Sequence, residues 1–141
     1  TLIAQENKGQ AGAFNTGFTA AQGEIVCMMD SDDYWEPDKV SSVAAAFEGS
    51  DAGIVQHYLR DVDISGRPLN NPIPPWPPYY KVTDYLDGKA DLAATTGLAF
   101  RGDILKKITP IPSEVFNFLD VYLQIKGMFL APMRNLPRIL G

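Results

Sequence analysis

Basic residues are too few to make this chain a nucleic-acid binder. Twelve Lys and Arg stand against 17 Asp and Glu, for a net charge of −5, whereas contact with phosphates calls for a basic stripe. Cysteine is scarcer still. Cys27 is the one thiol, so no internal disulfide can form, and a reducing, cytoplasmic setting is expected, with peripheral attachment at the inner membrane face as a variant of it. Long apolar runs are missing too: charge or proline interrupts every candidate before the roughly 20 residues of a membrane span, so no transmembrane segment is expected. No signal peptide and no internal repeat is visible. An initiator Met is also lacking, and Thr1 to Gln5 reads as a strand already under way, so the chain is expected to be a fragment. What is there, 141 residues with 45% apolar and 21% charged, suits one soluble domain over 1–141.

The densest signal lies at residues 25–33. Ile25 to Met29 is a run of five apolar residues, and it stops on Asp30, Ser31, Asp32 and Asp33. Such a run suits a strand buried on both faces. In open α/β sheets ligands bind at the carboxyl ends of strands, so the three acids are expected at a site. Packed together they repel one another unless a cation neutralises them, and carboxylate oxygens suit Mg²⁺, Mn²⁺ or Ca²⁺.

Around this run the periodicity alternates. Phe14, Phe18 and Ala21 give a helix from Ala11 one apolar face, with Gly23 as its C′ residue. Pro37 fits the first turn of a second helix, with Val40, Val43, Ala44 and Phe47 inward and Gly49 at its end. Ala52 to Leu59 reads as a second strand. The order β-α-β-α-β implies a mostly parallel sheet flanked by helices. Further on, a turn is expected at Ser65-Gly66. Residues 68–80 are too rich in proline for helix or central strand, and predict a surface excursion. A helical turn at Val82–Leu86, a small-residue strand at Leu92–Phe100 and a short helix through Ile108 follow. Ser113 is expected to N-cap a last helix from Glu114 to about Met128.

Spacing narrows the acidic loop. An EF-hand needs Gly at its sixth position and Glu at its twelfth; counting from Asp30, these are Trp35 and Ser41. A dehalogenase-type phosphatase is disfavoured because the strand is internal and Asp33 follows the aspartate pair. The plain alternative, an acidic turn capping the next helix, needs only Asp33 or Glu36.

The stretch Asn7-Lys8-Gly9-Gln10-Ala11-Gly12-Ala13-Phe14-Asn15, then Ala21 to Val26, Met29 to Asp33 and Trp35-Glu36-Pro37, resembles the middle of glycosyltransferase family 2. Thr95 to Arg101 resembles the family's acceptor-side strand, and Asp120 within Phe118 to Leu123 its late acidic motif. The resemblance covers most of the chain. It implies a GT-A fold, N-terminally truncated, and inverting, metal-assisted transfer from a nucleoside-diphosphate sugar, most simply a UDP-sugar. The acceptor would be a glycan, a lipid-linked group or a protein. It further implies Asp30 on the ribose side, Asp30 and Asp32 as ligands of Mn²⁺ or Mg²⁺, and Asn7, Asn15 and Asp33 beside the donor. Trp35, Gly97 and Arg101 would lie on the acceptor side. Asp120 would be the base that deprotonates the acceptor hydroxyl, although Leu119 precedes it where the family usually has a second acid. This stretch alone is expected to bind donor weakly and turn over poorly.

Several residues keep two readings. Trp35 and Trp76 suit stacking on sugar or packing under loops. Arg101 suits an anionic ligand or a structural ion pair. His57 reads as a core histidine rather than a catalyst. Beyond sugar transfer stand two other classes: an interaction domain docking partners through its prolines, and a phospho- or nucleotidyltransferase, for which residues 6–12 offer only Lys8 as a phosphate grip.

Overall fold

In the computed structural model, which describes residues 1–70, 73 and 75–141, five strands form one sheet. They are β1 (Ile25–Cys27), β2 (Ile54–Tyr58), β3 (Tyr79–Tyr80), β4 (Leu98–Arg101) and β5 (Met133–Ile139), in spatial order β1-β4-β2-β5-β3. Period-2 alternation in the central strands divides the core into two layers. Ile54, Leu98 and Phe100 belong to the larger cluster, while Val55 and Ala99 join Val43, Ala46 and Phe47 in the smaller. Helices α1 (Gly9–Ala20), α3 (Val82–Leu86), α4 (Gly102–Ile108) and α5 (Leu119–Met128) pack on the first; α2 (Lys39–Phe47) packs on the second.

The sheet is mixed where a mostly parallel one was expected. β2 and β5 pair in parallel, but β4 is antiparallel to both β1 and β2, and β3 is antiparallel to β5. β1 and β2 do share one direction, as the β-α-β reading requires. β4, from much later in the chain, lies between them. β1 is therefore an edge strand, which explains why Ile25, Val26 and Cys27 are only partly buried.

Other departures are local. Thr1 to Gln5 forms no strand and is exposed. α1 ends at Ala20 with Ala21 extended after it, so Gly23 is not its C′ residue, whereas Gly49 at φ 63° does follow α2. Pro37 lies outside α2, whose N-cap is Asp38. The inner face of α2 is Lys39, Val43, Ala46 and Phe47, while Val40 is 57% exposed. Leu92 to Phe100 is a 3-10 turn at Thr95–Gly97 followed by β4. α5 starts at Leu119 after Phe118, and the Ser113 hydroxyl bonds Glu114 instead of capping it.

β5 has no counterpart among the expected elements, because Arg134, Pro137 and Arg138 break its apolar alternation. It tolerates Pro137 because its register against β2 slips between His57 and Tyr58, the irregularity at which a strand accepts proline. Of the proline-rich excursion, Asn71, Pro72 and Pro74 lie outside the described residues. Its far end is tied down: Trp76 packs 4.2 Å from the Tyr58 ring and donates its indole N–H to Asp91 at 3.2 Å. That leaves the Trp76 ring committed to the body of the protein rather than to a sugar. Among the described residues no helix is long and apolar enough to cross a membrane.

Candidate functional site

The β1–β4 ladder ends at Cys27↔Ala99 and is extended by Met28 N–H donating to Leu98 at 3.0 Å. The chain then turns, with Asp33 N–H donating to the Asp30 carbonyl at 3.3 Å. Under this turn lies the Thr95–Gly97 segment that opens β4. The Asp30 amide donates to Thr96 Oγ1 at 2.9 Å, and the Thr96 hydroxyl donates to the Asp33 carboxylate. Below Thr96 sits Lys39, wholly buried. Its ammonium donates to the carbonyls of Thr96 at 2.5 Å and Met28 at 3.5 Å, and lies 4.3 Å from the centre of the Trp35 ring.

Charge follows this geometry. Burial first, then the negative charge of Asp33, holds the Asp30 carboxyl above its ordinary range; a hydrogen bond from Thr95 opposes them, and the charges of Asp32 and Asp120 add to the rise. Asp120, 90 residues further along, is thus close enough to be felt at Asp30. It stands in the first turn of α5, where a carboxylate suits the helix dipole, and one of its oxygens accepts the Val121 N–H at 2.9 Å. Lys39 is pushed down to about 8 by burial, against the favourable charges of Cys27 and Asp33.

Beside the loop is an open pocket of about 490 Å³. Asp32, Asp33 and Tyr34 line one side and Leu59, Arg60 and Asp61 the other; Asp30 and Asp120 do not line it. Pockets of this size hold small ligands. Among the described residues no three His, Cys, Asp or Glu side chains converge to cage a metal. That donor set still fits Mg²⁺ or Mn²⁺, which are commonly held by one or two carboxylates and completed by water and substrate phosphates.

Of the residues singled out by sequence, Asp30, Asp32, Asp33, Trp35 and Asp120 gather at this end of the sheet. Gly97 lies beneath them, buried; a Cβ there would come 2.9 Å from the His57 carbonyl and 2.8 Å from Ala93 Cβ, so the glycine answers close packing. Asn7 accepts the Gly9 N–H at 2.9 Å and shapes the exposed approach to α1. Asn15 commits both halves of its amide to Ile111, donating to its carbonyl at 2.9 Å and accepting its N–H at 2.7 Å. It fastens the segment after α4.

Arg101, expected on the acceptor side, lies away from the acidic loop. Arg101 pairs with Ile25, at the opposite end of the ladder from the acidic loop. Its guanidinium donates to the carbonyls of Ala52 and Phe47 at 2.8 Å and of Ser50 at 3.1 Å, so it ties α2 to the sheet. His57 is buried and held neutral, its pKa lowered to about 4 chiefly by burial, with Nδ1 2.8 Å from the Tyr58 carbonyl. That is the expected core histidine. Sequence reasoning passed over Thr95, Thr96 and Lys39. The two threonines stood inside a quoted motif without a role. Lys39 carried a signal in hindsight, standing four, seven and eight residues before buried Val43, Ala46 and Phe47.

Residues 1–109 match the family described as Glycosyl transferase family 2. An uncharacterised glycosyltransferase of Nostoc sp. is 37% identical over 116 residues, which is 77% of this chain and 35% of that protein. The succinoglycan biosynthesis protein ExoO of Rhizobium meliloti is 36% identical over 69 residues, 48% of this chain and 20% of its own length. The chain thus spans about a third or less of these relatives. Among solved structures, S. aureus TarS 1–349 superposes with a TM-score of 0.72 at 20% identity, covering 97% of this chain and 41% of that one. The same TarS fragment in complex with UDP gives 0.70 over 94% and 39%. The fold, a mixed sheet with helices on both faces, is that of the GT-A glycosyltransferases, as the motifs implied.

Proposed function

Because this chain belongs to glycosyltransferase family 2, we propose that it supplies the diphosphate-facing carboxylates and the base for inverting sugar transfer from a nucleoside-diphosphate sugar. The observation that carries this reading is the open pocket lined by Asp32 and Asp33 at the end of the sheet, with Asp120 near enough for its charge to act on Asp30, so that donor and acceptor would react between the loop and Asp120. Asp32, assisted by Asp30, would hold Mn²⁺ or Mg²⁺, and Asp30 and Asp33 would face the donor. When bound, the cation supplies positive charge for the departing diphosphate. Asp120 accepts the proton of the acceptor hydroxyl as that oxygen attacks the anomeric carbon from the face opposite the leaving group. With one oxygen fixed on the Val121 amide, the Asp120 carboxylate is held in orientation. The solved complex of S. aureus TarS with UDP supports a uridine diphosphate donor.

Titration calorimetry with UDP and Mn²⁺, carried out on the protein as it is naturally made, tests the donor side. Binding is expected to require Mn²⁺, and Asp32→Ala to weaken it at least ~100-fold, as removal of a metal-borne charge interaction worth several kcal/mol implies. Asp120→Asn is expected to leave that binding intact and slow sugar transfer by roughly 10²–10⁴-fold. Binding by Asp32→Ala equal to the parent refutes the metal role, and unchanged turnover of Asp120→Asn refutes the base.

A further inference from the structure

We infer that Thr96, clamped from below by Lys39, is a positioning residue that sets the acidic loop in its ligand-binding geometry, an inference that rests on the donor-site reading above. The starting point is an inversion in α2. Its inner face buries the ammonium of Lys39 completely while the next residue, Val40, is 57% exposed. A buried ammonium is costly unless its hydrogen bonds and charge are answered. Here they are answered by two backbone carbonyls and an indole face, and both carbonyls belong to the site: Met28 leads into the acidic loop and Thr96 supports it.

Thr96 passes this anchoring upward. Its hydroxyl accepts from the main chain of Asp30 and donates to the side chain of Asp33, so one group fixes the backbone of the first acid and the rotamer of the last. Behind it, Gly97 packs where a Cβ would meet the His57 carbonyl, and Gly97 N–H donates to the Ala94 carbonyl at 2.8 Å. The turn has no room to retreat. Three neighbouring carboxylates left to themselves would splay apart by repulsion. Bonding Asp33 to Thr96, with the Lys39 charge beneath it, holds the loop drawn in and leaves the Asp32 carboxylate open toward the pocket. Groups that orient ligand-bearing side chains in this way are worth about 10–100-fold in affinity or activity.

Thr96→Val keeps the shape of the side chain and removes the hydroxyl; Thr96→Ser removes the methyl and keeps it. Calorimetry with UDP and Mn²⁺ is expected to show about 10–100-fold weaker binding for Thr96→Val and binding within about threefold of the parent for Thr96→Ser. A role in packing alone would rank the two variants the other way, because the serine loses the apolar contact. Thermal midpoints measured alongside are expected to follow packing and so to separate from the affinities. Should Thr96→Val not fold, Lys39→Met carries the test, since Met retains most of the stem and removes the ammonium; the same weakening is expected. If the parent shows Mn²⁺-dependent UDP binding that Asp32→Ala destroys while Thr96→Val and Lys39→Met retain it, the positioning role is overturned and the donor reading stands. If the parent, assayed as the protein is naturally made, shows no such binding, the donor reading fails and this inference falls with it.

Discussion

The two ends of the β1–β4 ladder use polar residues in opposite ways. At the Ile25↔Arg101 end a side chain serves the backbone: Arg101 commits three hydrogen bonds to the carbonyls of Ala52, Phe47 and Ser50. At the Cys27↔Ala99 end the backbone and its buried helpers serve side chains. Thr96 and Lys39 answer the main-chain groups of Met28, Asp30 and Thr96, and the Asp32 carboxylate is left at the mouth of a pocket. A charged residue in a motif is therefore not yet a functional one. What separates the two ends is whether the charge is consumed by the scaffold or kept available by it.

The largest effect expected from this contrast is at the scaffold end. Arg101→Met leaves three carbonyls without their charge-assisted donors, each such bond being worth about 1.5–3 kcal/mol. At the low end of that range, which suits a half-buried side chain, the substitution is expected to cost about 4.5 kcal/mol of stability in urea denaturation. Affinity for UDP and Mn²⁺, measured where the variant is still folded, is expected to stay at the parent value. A fall in affinity without a loss of stability would break the contrast and return Arg101 to the ligand side.

His57 lies under the functional end, and acid tests how that end is supported. Its pKa is depressed from 6.5 to about 4 in the folded chain. The unfolded chain therefore binds more protons between those values, and stability falls as pH drops through that window. The shift corresponds to about 3 kcal/mol lost on the acid side. His57→Leu, close in volume, is expected to flatten this part of the stability–pH curve while leaving transfer at neutral pH unchanged. A curve that keeps the parent's slope would show that other groups carry the acid sensitivity.

Legibility in the sequence divides along the same line. The acidic loop, the helices on both sheet faces and the late aspartate follow from apolar runs, spacing and quoted motifs, because those features are local. The partners were not legible. Nothing local says that β4 inserts between β1 and β2, and so β1 read as buried on both faces when it is an edge. β5 was hidden by Arg134, Pro137 and Arg138, which a strand accepts only because its register slips against β2. Val40 is expected inward and is 57% exposed, while buried Lys39 has no place in that reading, because hydropathy ranks a side chain against solvent. It does not count the carbonyls of Met28 and Thr96 that wait inside for a donor.

The smallest effect expected concerns strain beside Asp120. Phe118 has φ 54°, the one positive φ at a non-glycine position among the described residues, and its ring is 77% exposed. The left-handed conformation costs an ordinary residue about 1–2 kcal/mol, while glycine gives back about 0.5–1 kcal/mol through its freer unfolded chain. Phe118→Gly is therefore expected to stabilise the fold by about 0.5–1 kcal/mol, raising the thermal midpoint by about 2–3 °C. Phe118→Ala, which removes the ring and keeps the backbone penalty, is expected to leave the midpoint near the parent's. If alanine and glycine move it equally, the ring rather than the backbone is responsible, and there is no strain to explain. If glycine alone raises it, the functional end carries strain two residues from its base. Strained backbone of this kind persists where surrounding structure holds it and clusters at active sites. The expected corollary is slower transfer by the more stable Phe118→Gly enzyme, since a relaxed backbone at the start of α5 no longer holds Asp120 in one orientation.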